Sequence, residues 1–514
     1  MEQRSNAEEH LPNAEDSARQ EAGQERSLTA SAKSAVLWAG GADLLRDVAQ
    51  FGAALALVRL ISKEEYGAFA VAQAIVGLLA YFGVEIWSEQ ARQERDPRSV
   101  DWSTHLTFGL GVNLVLFILV ELAALVLADT AKFGQAAMPL AVTGSLLLTS
   151  VPGTLAKRRL EVEHRWKELR SLAVVGTYAS LCVQMAVAWS GRGALALALG
   201  PVLSTLPEAT YFFFGSKLRP LIGLNSTNLR KILLFGRYRI GAASSVRIST
   251  LAREFSITSG LGLGTVGLVN RALGLGNLTV NKFVSSSMAS IYPVLTRLPV
   301  ASAKMRRASA LLLISALWFL IPTAVFVVVL GEEIVLLAFG QKWVEVIPFL
   351  PAAVAIVSLV TIGGVISKIV LANDRVETVF RIELLQGAGQ AAAAVIVVPY
   401  GALSFLWASV AWHLVCVGVF MSASLKQRSI TLLDLRAGFF GPVIGAAAAG
   451  LIVAIISSSV TTDSPASRVA AILGCGLTFG LIYGICLRIL CSDELSSLLD
   501  VVPFGDRLRP WLRY

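Results

Sequence analysis

Apolar stretches long enough to cross a bilayer follow one another along almost the whole of this chain, joined by short loops. A hydrocarbon layer about 30 Å thick is crossed by roughly 20 apolar residues in a helix. By that measure about fourteen spans are predicted. They lie near residues 35–58, 66–88, 104–128, 136–156, 171–190, 193–215, 235–260, 266–292, 308–330, 345–367, 382–399, 401–422, 437–458 and 468–488. Some are uniformly apolar, such as LLLISALWFLIPTAVFVVVL; others carry charges and meet the criterion narrowly. Only 15% of the residues are charged, against about 25% in a soluble domain, so these are not the core helices of a soluble fold. The predicted class is an all-α polytopic membrane protein.

Residues 1–33 are acidic, lack aromatic residues and cannot bury a core, so a disordered cytoplasmic tail is expected there. The first apolar run starts too late for a secretory signal. Basic residues then set the orientation. If the amino terminus is inside, the inner loops hold clusters such as Lys157, Arg158, Arg159, Arg165, Lys167 and Arg170. The outer loops and their flanks hold only Arg59, Lys63, Lys132, Arg192, Lys342 and Arg468. Both termini are therefore expected in the cytoplasm. The net charge of +9 is a topology signal, because the cations are dispersed over short loops without a nucleic-acid recognition module. Cys182, Cys416, Cys475, Cys486 and Cys491 have no metal or redox spacing and are expected as free thiols. No metal site is predicted.

Gly262, Gly264 and Gly267 spell G-x-G-x-x-G, but no strand precedes them and no acidic residue follows at the distance a dinucleotide site needs. A tight outer hairpin between two spans is the expected reading. Gly476, Gly480 and Gly484, with Gly441 and Gly445 in the preceding span, form small-residue stripes that suit close packing of the last two helices, or a dimer face. No phosphate-binding loop for ATP is present.

The costly residues concentrate in four spans. The first carries Asp43, Arg46, Asp47 and Gln50 on one helical face, and the second carries Gln73, Gly77, Tyr81 and Glu85. The seventh carries Arg239, Arg247, Arg253 and Glu254; the eighth carries Asn270, Asn277, Asn281 and Ser285, with Arg271 and Lys282 alongside. A charge at mid-bilayer costs roughly 2.5–3.5 kcal/mol on the insertion scale. These faces are therefore expected to meet around a polar, net-cationic cavity rather than face lipid. Internal ion pairing, as in Arg253–Glu254, is the competing account.

YGAFAVAQAI at 66–75 echoes VGLVNRALGL at 266–275, with Gly67 against Gly267 and Ala72 against Ala272. The echo predicts two parallel six-helix lobes around a central cavity. The expected division is a tail at 1–33, an N-lobe at 34–222, a C-lobe at 223–425, two extra helices at 426–489 and a cytoplasmic tail at 490–514.

The stretch LLRDVAQFGAALALVRLISKEEYGAFAVAQAIVGLLAYFGVE resembles the amino-terminal signature of the polysaccharide-transporter, Wzx-type flippases. LGLGTVGLVNRALGLGNL and LAFGQKWVEVIPFLPAAV resemble two further elements of the same family, over roughly residues 34–425. The polar Val269–Asn270–Arg271 departs from the family pattern, which has Tyr near 268 or 269. The resemblance implies a flippase for undecaprenyl-pyrophosphate-linked oligosaccharides in the bacterial inner membrane, serving exopolysaccharide, capsule or O-antigen assembly. It further implies a polymerase and a chain-length regulator as partners, and a monomer. A lipid II flippase and a multidrug exporter of the same superfamily are the alternatives.

On that reading Arg46, Arg247, Arg253 and Arg271 would hold the pyrophosphate, since guanidinium binds phosphate oxygens bidentately. Gln50, Gln73, Asn270, Asn277 and Asn281 would bond sugar hydroxyls beside Lys282, and Tyr66 and Tyr81 would stack on sugar faces. With no cofactor expected, H⁺ or Na⁺ would drive transport through Asp43, Asp47, Glu85 or Glu254.

Overall fold

The computed structural model describes residues 45–93, 99–215, 222–281, 284, 288, 295, 298–300, 302–373, 375–427, 430–459, 464–492 and 495. The tail expected at 1–33, Asp43 and Lys282 lie outside the described residues, as do the side chains of Arg239 and Asn281. Every regular element described is helical.

Residues 45–60 form α1, followed by α2 (Lys63–Ala80) and the short α3 (Val84–Ser88). Next come α4 (Trp102–Ala128), α5 (Gly134–Gly144), α6 (Leu146–Val162), α7 (Trp166–Trp189), α8 (Gly193–Ser204) and α9 (Leu206–Thr210). The second half contains α10 (Ser226–Leu261), α11 (Leu263–Gly276), α12 (Ala303–Val329) and α13 (Gly331–Ala338). It closes with α14 (Leu350–Ala372), α15 (Val376–Val397), α16 (Ala402–Lys426), α17 (Leu432–Ser459) and α18 (Pro465–Leu490).

Among the described residues nine helical stretches are long and apolar enough to cross a membrane, and a tenth arises if Lys63–Ala80 and Val84–Ala91, bent by 41°, count as one. The chain is thus a multi-pass membrane protein, and the expectation of fourteen spans is met for nine or ten. The other four stretches are helical too where they are described, but do not meet the criterion. α10 is 36 residues long yet interrupted by arginines, and α11 gives way to a π-turn at Asn277–Asn281. The stretch at 193–215 is broken into α8, α9 and a π-turn, and α1 is described only from residue 45. These include three of the four polar spans singled out in the sequence.

Burial separates central helices from lipid-facing ones. In the span Gln341–Ala372, 56% of the most apolar window is buried, against 11% in α18. Leu473, Leu477, Leu481, Ile485 and Ile489 recur every fourth residue on the exposed face of α18, which suits contact with acyl chains. Its other side packs on α17, where a Cβ on Gly441 would lie 2.1 Å from Cys491 Sγ. Gly480 and Gly484 face open space, so only the α17 stripe serves packing between these helices. All five cysteines are free thiols.

Local chemistry fixes several helix starts. Ser62 and Glu65 form a capping box on α2, and the second oxygen of Glu65 accepts from the Gly193 N–H that opens α8, at 2.7 Å. Asp101 caps α4 and also accepts from Asn228 of α10 at 3.0 Å. Burial works to raise the Asp101 carboxyl, and hydrogen bonds from Thr104 and Asn228 outweigh it, leaving the group below its ordinary range.

The joint that most constrains the fold is between α2 and α11. A Cβ on Gly67 would sit 1.9 Å from the carbonyl oxygen of Leu263, and one on Gly267 would sit 2.1 Å from that of Lys63. Each glycine meets the backbone four residues ahead of its counterpart, so the contact is related by a local two-fold exchange. Glycine is required there because any side chain would collide with main chain. Gly262, at φ +89°, makes the turn between α10 and α11 as the hairpin reading expects.

Beside this joint, Arg271 is enclosed by rings. Its guanidinium carbon lies 3.9 Å from the Tyr66 centroid and 5.5 Å from those of Phe339 and Trp343. Trp343 is fully buried, and its indole N–H donates to the Val58 carbonyl at 3.0 Å. Lys63 and Glu345 pair at 2.7 Å on the exposed rim. Trp343→Ala is expected to cost about 3–5 kcal/mol, whereas Glu345→Gln should cost under about 1 kcal/mol because exposed pairs contribute little. Thermal unfolding of the purified protein in detergent separates the two.

Candidate functional site

Two cavities meet at the centre of the helices. The larger, of about 690 Å³, is walled by α10, α11, α14, α15 and α16. The smaller, of about 300 Å³, is walled by α2, α5, α6, α10 and α11, with Pro201 of α8. Arg247, Thr250, Arg253 and Asn270 belong to both linings, so α10 and α11 form the partition between them.

The partition is charged and ordered. Glu254 is 1% exposed and accepts from Arg253 Nη2 at 2.6 Å with one oxygen and from Asn270 Nδ2 at 3.0 Å with the other. Asn270 Oδ1 in turn accepts from Arg253 Nη2 at 3.4 Å. A buried carboxylate needs such partners, since an unpaired ion in low dielectric is expensive. Arg247 is exposed to the cavity, its Nη1 lying 3.7 Å from where a Cβ on Gly77 of α2 would be. Among the described residues each lining holds two arginines and one glutamate, Glu254 in the smaller and Glu383 in the larger.

The residues predicted from sequence are only partly brought together. Arg247, Arg253, Asn270, Asn277 and Tyr81 line the larger cavity, and Gln73 and Glu254 line the smaller. Arg271 does not line either one; it is caged by Tyr66, Phe339 and Trp343, and Tyr66 is thereby turned to Arg271 rather than to a sugar. The reason is geometric: on α11 the side chain next to Asn270 points about 100° away, toward α2 and the α13 hairpin. Among the described residues of these linings none comes from α1. Arg46 Nε donates to Thr177 of α7 at 3.2 Å and lies in Coulombic range of Glu208, together with Lys157. Asp47 is half-buried on α1; Gln50 and Glu85 are exposed. Of the four acids considered for ion coupling, Glu254 alone is placed in a cavity wall among the described residues.

Sequence reasoning missed the far wall of the larger cavity. Glu383, Gln386 and Gln390 of α15 line it with Ser367 of α14 and His413 of α16. The signal was present: spacings of three and four residues put the three α15 side chains on one stripe of the helix.

The signature residues, by contrast, gather at the α2–α11 joint. Glu65 caps two helices, Tyr66 carries Arg271, and Gly67 meets α11. Phe339 and Trp343 close the cage, with Gly340 at φ +84° between them.

Known proteins agree with this architecture. The chain is 21% identical over 337 residues to the lipopolysaccharide biosynthesis protein WzxC of Escherichia coli K12, covering 64% of this chain and 68% of that one. It is 23% identical over 304 residues to the succinoglycan biosynthesis transport protein ExoT of Rhizobium meliloti, covering 57% and 60%. The backbone superposes on the lipid II flippase MurJ in its inward closed conformation with a TM-score of 0.70 at 13% identity, over 88% of this chain and 99% of that one. A multidrug resistance MATE transporter in its inward-facing conformation gives 0.56 at 16% identity, over 74% and 94%. The polysaccharide biosynthesis protein family matches residues 56–348, more than half of the chain. This chain belongs to that family of Wzx-type membrane transporters, which are not enzymes.

Proposed function

We propose that the protein flips undecaprenyl-pyrophosphate-linked oligosaccharide repeat units across the cytoplasmic membrane, for exopolysaccharide, capsule or O-antigen assembly. The observation that carries this reading is the pair Arg247 and Arg253 on the partition shared by two cavities. A pyrophosphate bridge is doubly anionic, and arginine holds its oxygens bidentately while remaining charged. The lipid tail stays in the bilayer while the headgroup passes the partition. The names of the WzxC and ExoT relatives support a polysaccharide pathway.

The two lobes, 34–222 and 223–425, then rock against each other, with α17 and α18 flanking the C-lobe and both termini in the cytoplasm. Glu254 is the acid that exchanges a coupling ion, because phosphate arriving at Arg253 competes with the carboxylate already bound there. Reconstituted in liposomes, the wild-type chain is expected to move the lipid-linked saccharide between leaflets faster when an H⁺ or Na⁺ gradient is imposed. Glu254→Gln should transport at a rate indifferent to both gradients. Absence of any movement by folded protein would overturn the flippase reading; gradient dependence retained in Glu254→Gln would remove the role of that acid.

A further inference from the structure

The far wall of the larger cavity is a polar surface for which the charged partition leaves no explanation. Gly387 lets α15 press against α10, where an added Cβ would lie 2.7 Å from the Ser245 backbone, and Ser245 Oγ donates to the Glu383 carbonyl at 3.2 Å. That contact fixes the rotation of α15. Glu383, Gln386 and Gln390 consequently line the cavity as one stripe, on the helix that packs beside Arg247 and Arg253 of α10.

Two of these side chains hold acceptor capacity that the protein leaves unused. The Gln390 amide nitrogen donates to Ser409 Oγ at 2.9 Å, while its Oε1 is buried without a partner. A buried acceptor left unpaired costs about 1–3 kcal/mol, so a turn of the amide that brings Oε1 to a ligand donor at the cavity is favoured. The Glu383 carboxylate accepts a long bond of 3.4 Å from Ser367, which leaves most of its acceptor sites for other donors. His413 contacts the Ser409 carbonyl through Nδ1 at 2.7 Å, and since a carbonyl only accepts, Nδ1 carries the proton. Tyr81 and Phe420 supply rings to the same lining.

We infer that this wall is the saccharide subsite, and that it takes neutral or amine-bearing sugars with vicinal hydroxyl pairs in preference to uronic acids. The inference rests on the flippase reading and adds to it a direction. A carboxylate repels phosphate, so the pyrophosphate lies on the arginine side and the glycan extends toward α15. The acceptors at Glu383 and Gln390 match hydroxyl donors, which a bare lipid pyrophosphate does not have. The Glu383 charge disfavours an acidic sugar by like-charge repulsion.

The test uses the full chain in nanodiscs and two probes: undecaprenyl pyrophosphate without sugar, and the lipid-linked saccharide fraction from cells that carry this chain. The wild type is expected to bind the saccharide probe more tightly than the bare lipid. Glu383→Gln, close in shape to the native side chain, should weaken the saccharide probe roughly ten- to hundredfold, as loss of a charged hydrogen bond does, and change the bare lipid by less than about twofold. Gln390→Leu should act in the same direction. Because it also removes the bond to Ser409, its unfolding temperature is measured alongside, and Glu383→Gln decides if Gln390→Leu does not fold. Equal weakening of both probes, or of neither, would overturn the subsite while bare-lipid binding upholds the flippase reading. Failure of the wild type to bind either probe would overturn both.

Discussion

Arg247→Glu is expected to abolish surface polysaccharide while the protein still accumulates in the membrane. The side chain is exposed to the cavities and lies where two linings meet, so its loss removes no packing. Reversing its charge removes charged hydrogen bonds to phosphate worth about 1.5–3 kcal/mol and adds like-charge repulsion, or roughly ten- to more than a hundredfold in binding. Arg247→Lys should retain part of the activity, since a point charge replaces a bidentate fork. Arg271→Glu behaves differently. Its guanidinium is held against ring faces, whose negative quadrupole repels a carboxylate, so that variant is expected to lower the amount of folded protein. Immunoblots of membranes beside polysaccharide staining distinguish a transport defect from a folding defect.

The largest effect on folding is expected from Gly267→Val or Gly67→Val. Either Cβ would lie about 2 Å from a carbonyl oxygen of the facing helix. Neither helix can yield locally, because the obstacle is main chain rather than the end of a flexible side chain. α2 and α11 would have to separate, exposing Val71, Ala72, Val266 and Ala272, all fully buried. The expected result is little or no monodisperse protein on size-exclusion chromatography. Gly77→Ala in the same α2 is the control: its nearest neighbour is Arg247 Nη1 at 3.7 Å, an ordinary contact, and alanine favours the helix by about 1 kcal/mol. That variant should accumulate normally.

The α2–α11 joint was legible in the sequence as an echo of ten residues, with Gly67 and Gly267 aligned. The echo has a physical basis, since a symmetric crossing asks both helices for a small residue at the same register. Nine clean spans were legible because apolarity over 20 residues leaves few alternatives. Arg247, Arg253 and Asn270 were legible as costly residues in a greasy context. Arg271 was misplaced for a reason of rotation: spacing identifies a helix face, but which partner covers that face depends on a hairpin more than 60 residues away. The α15 stripe escaped notice because one glutamate and two glutamines among alanines and valines scarcely disturb the hydropathy of a span. Its meaning comes from α10, which turns it inward.

A crossing of main chain on main chain also has a mechanical side. The crossing point of α2 and α11 is fixed where Gly67 and Gly267 meet main chain, and a roll about it would have to slide Tyr66 along Arg271 and shift the buried Val71, Ala72, Val266 and Ala272. The arm from Gly67 to Ala80 is about 20 Å long at 1.5 Å per residue, and a roll of about 20° sweeps its tip through about 7 Å. That arm carries Gln73, Gly77 and Ala80, three of the α2 residues that line the smaller cavity, so a small turn at the crossing would be magnified at the cavity wall.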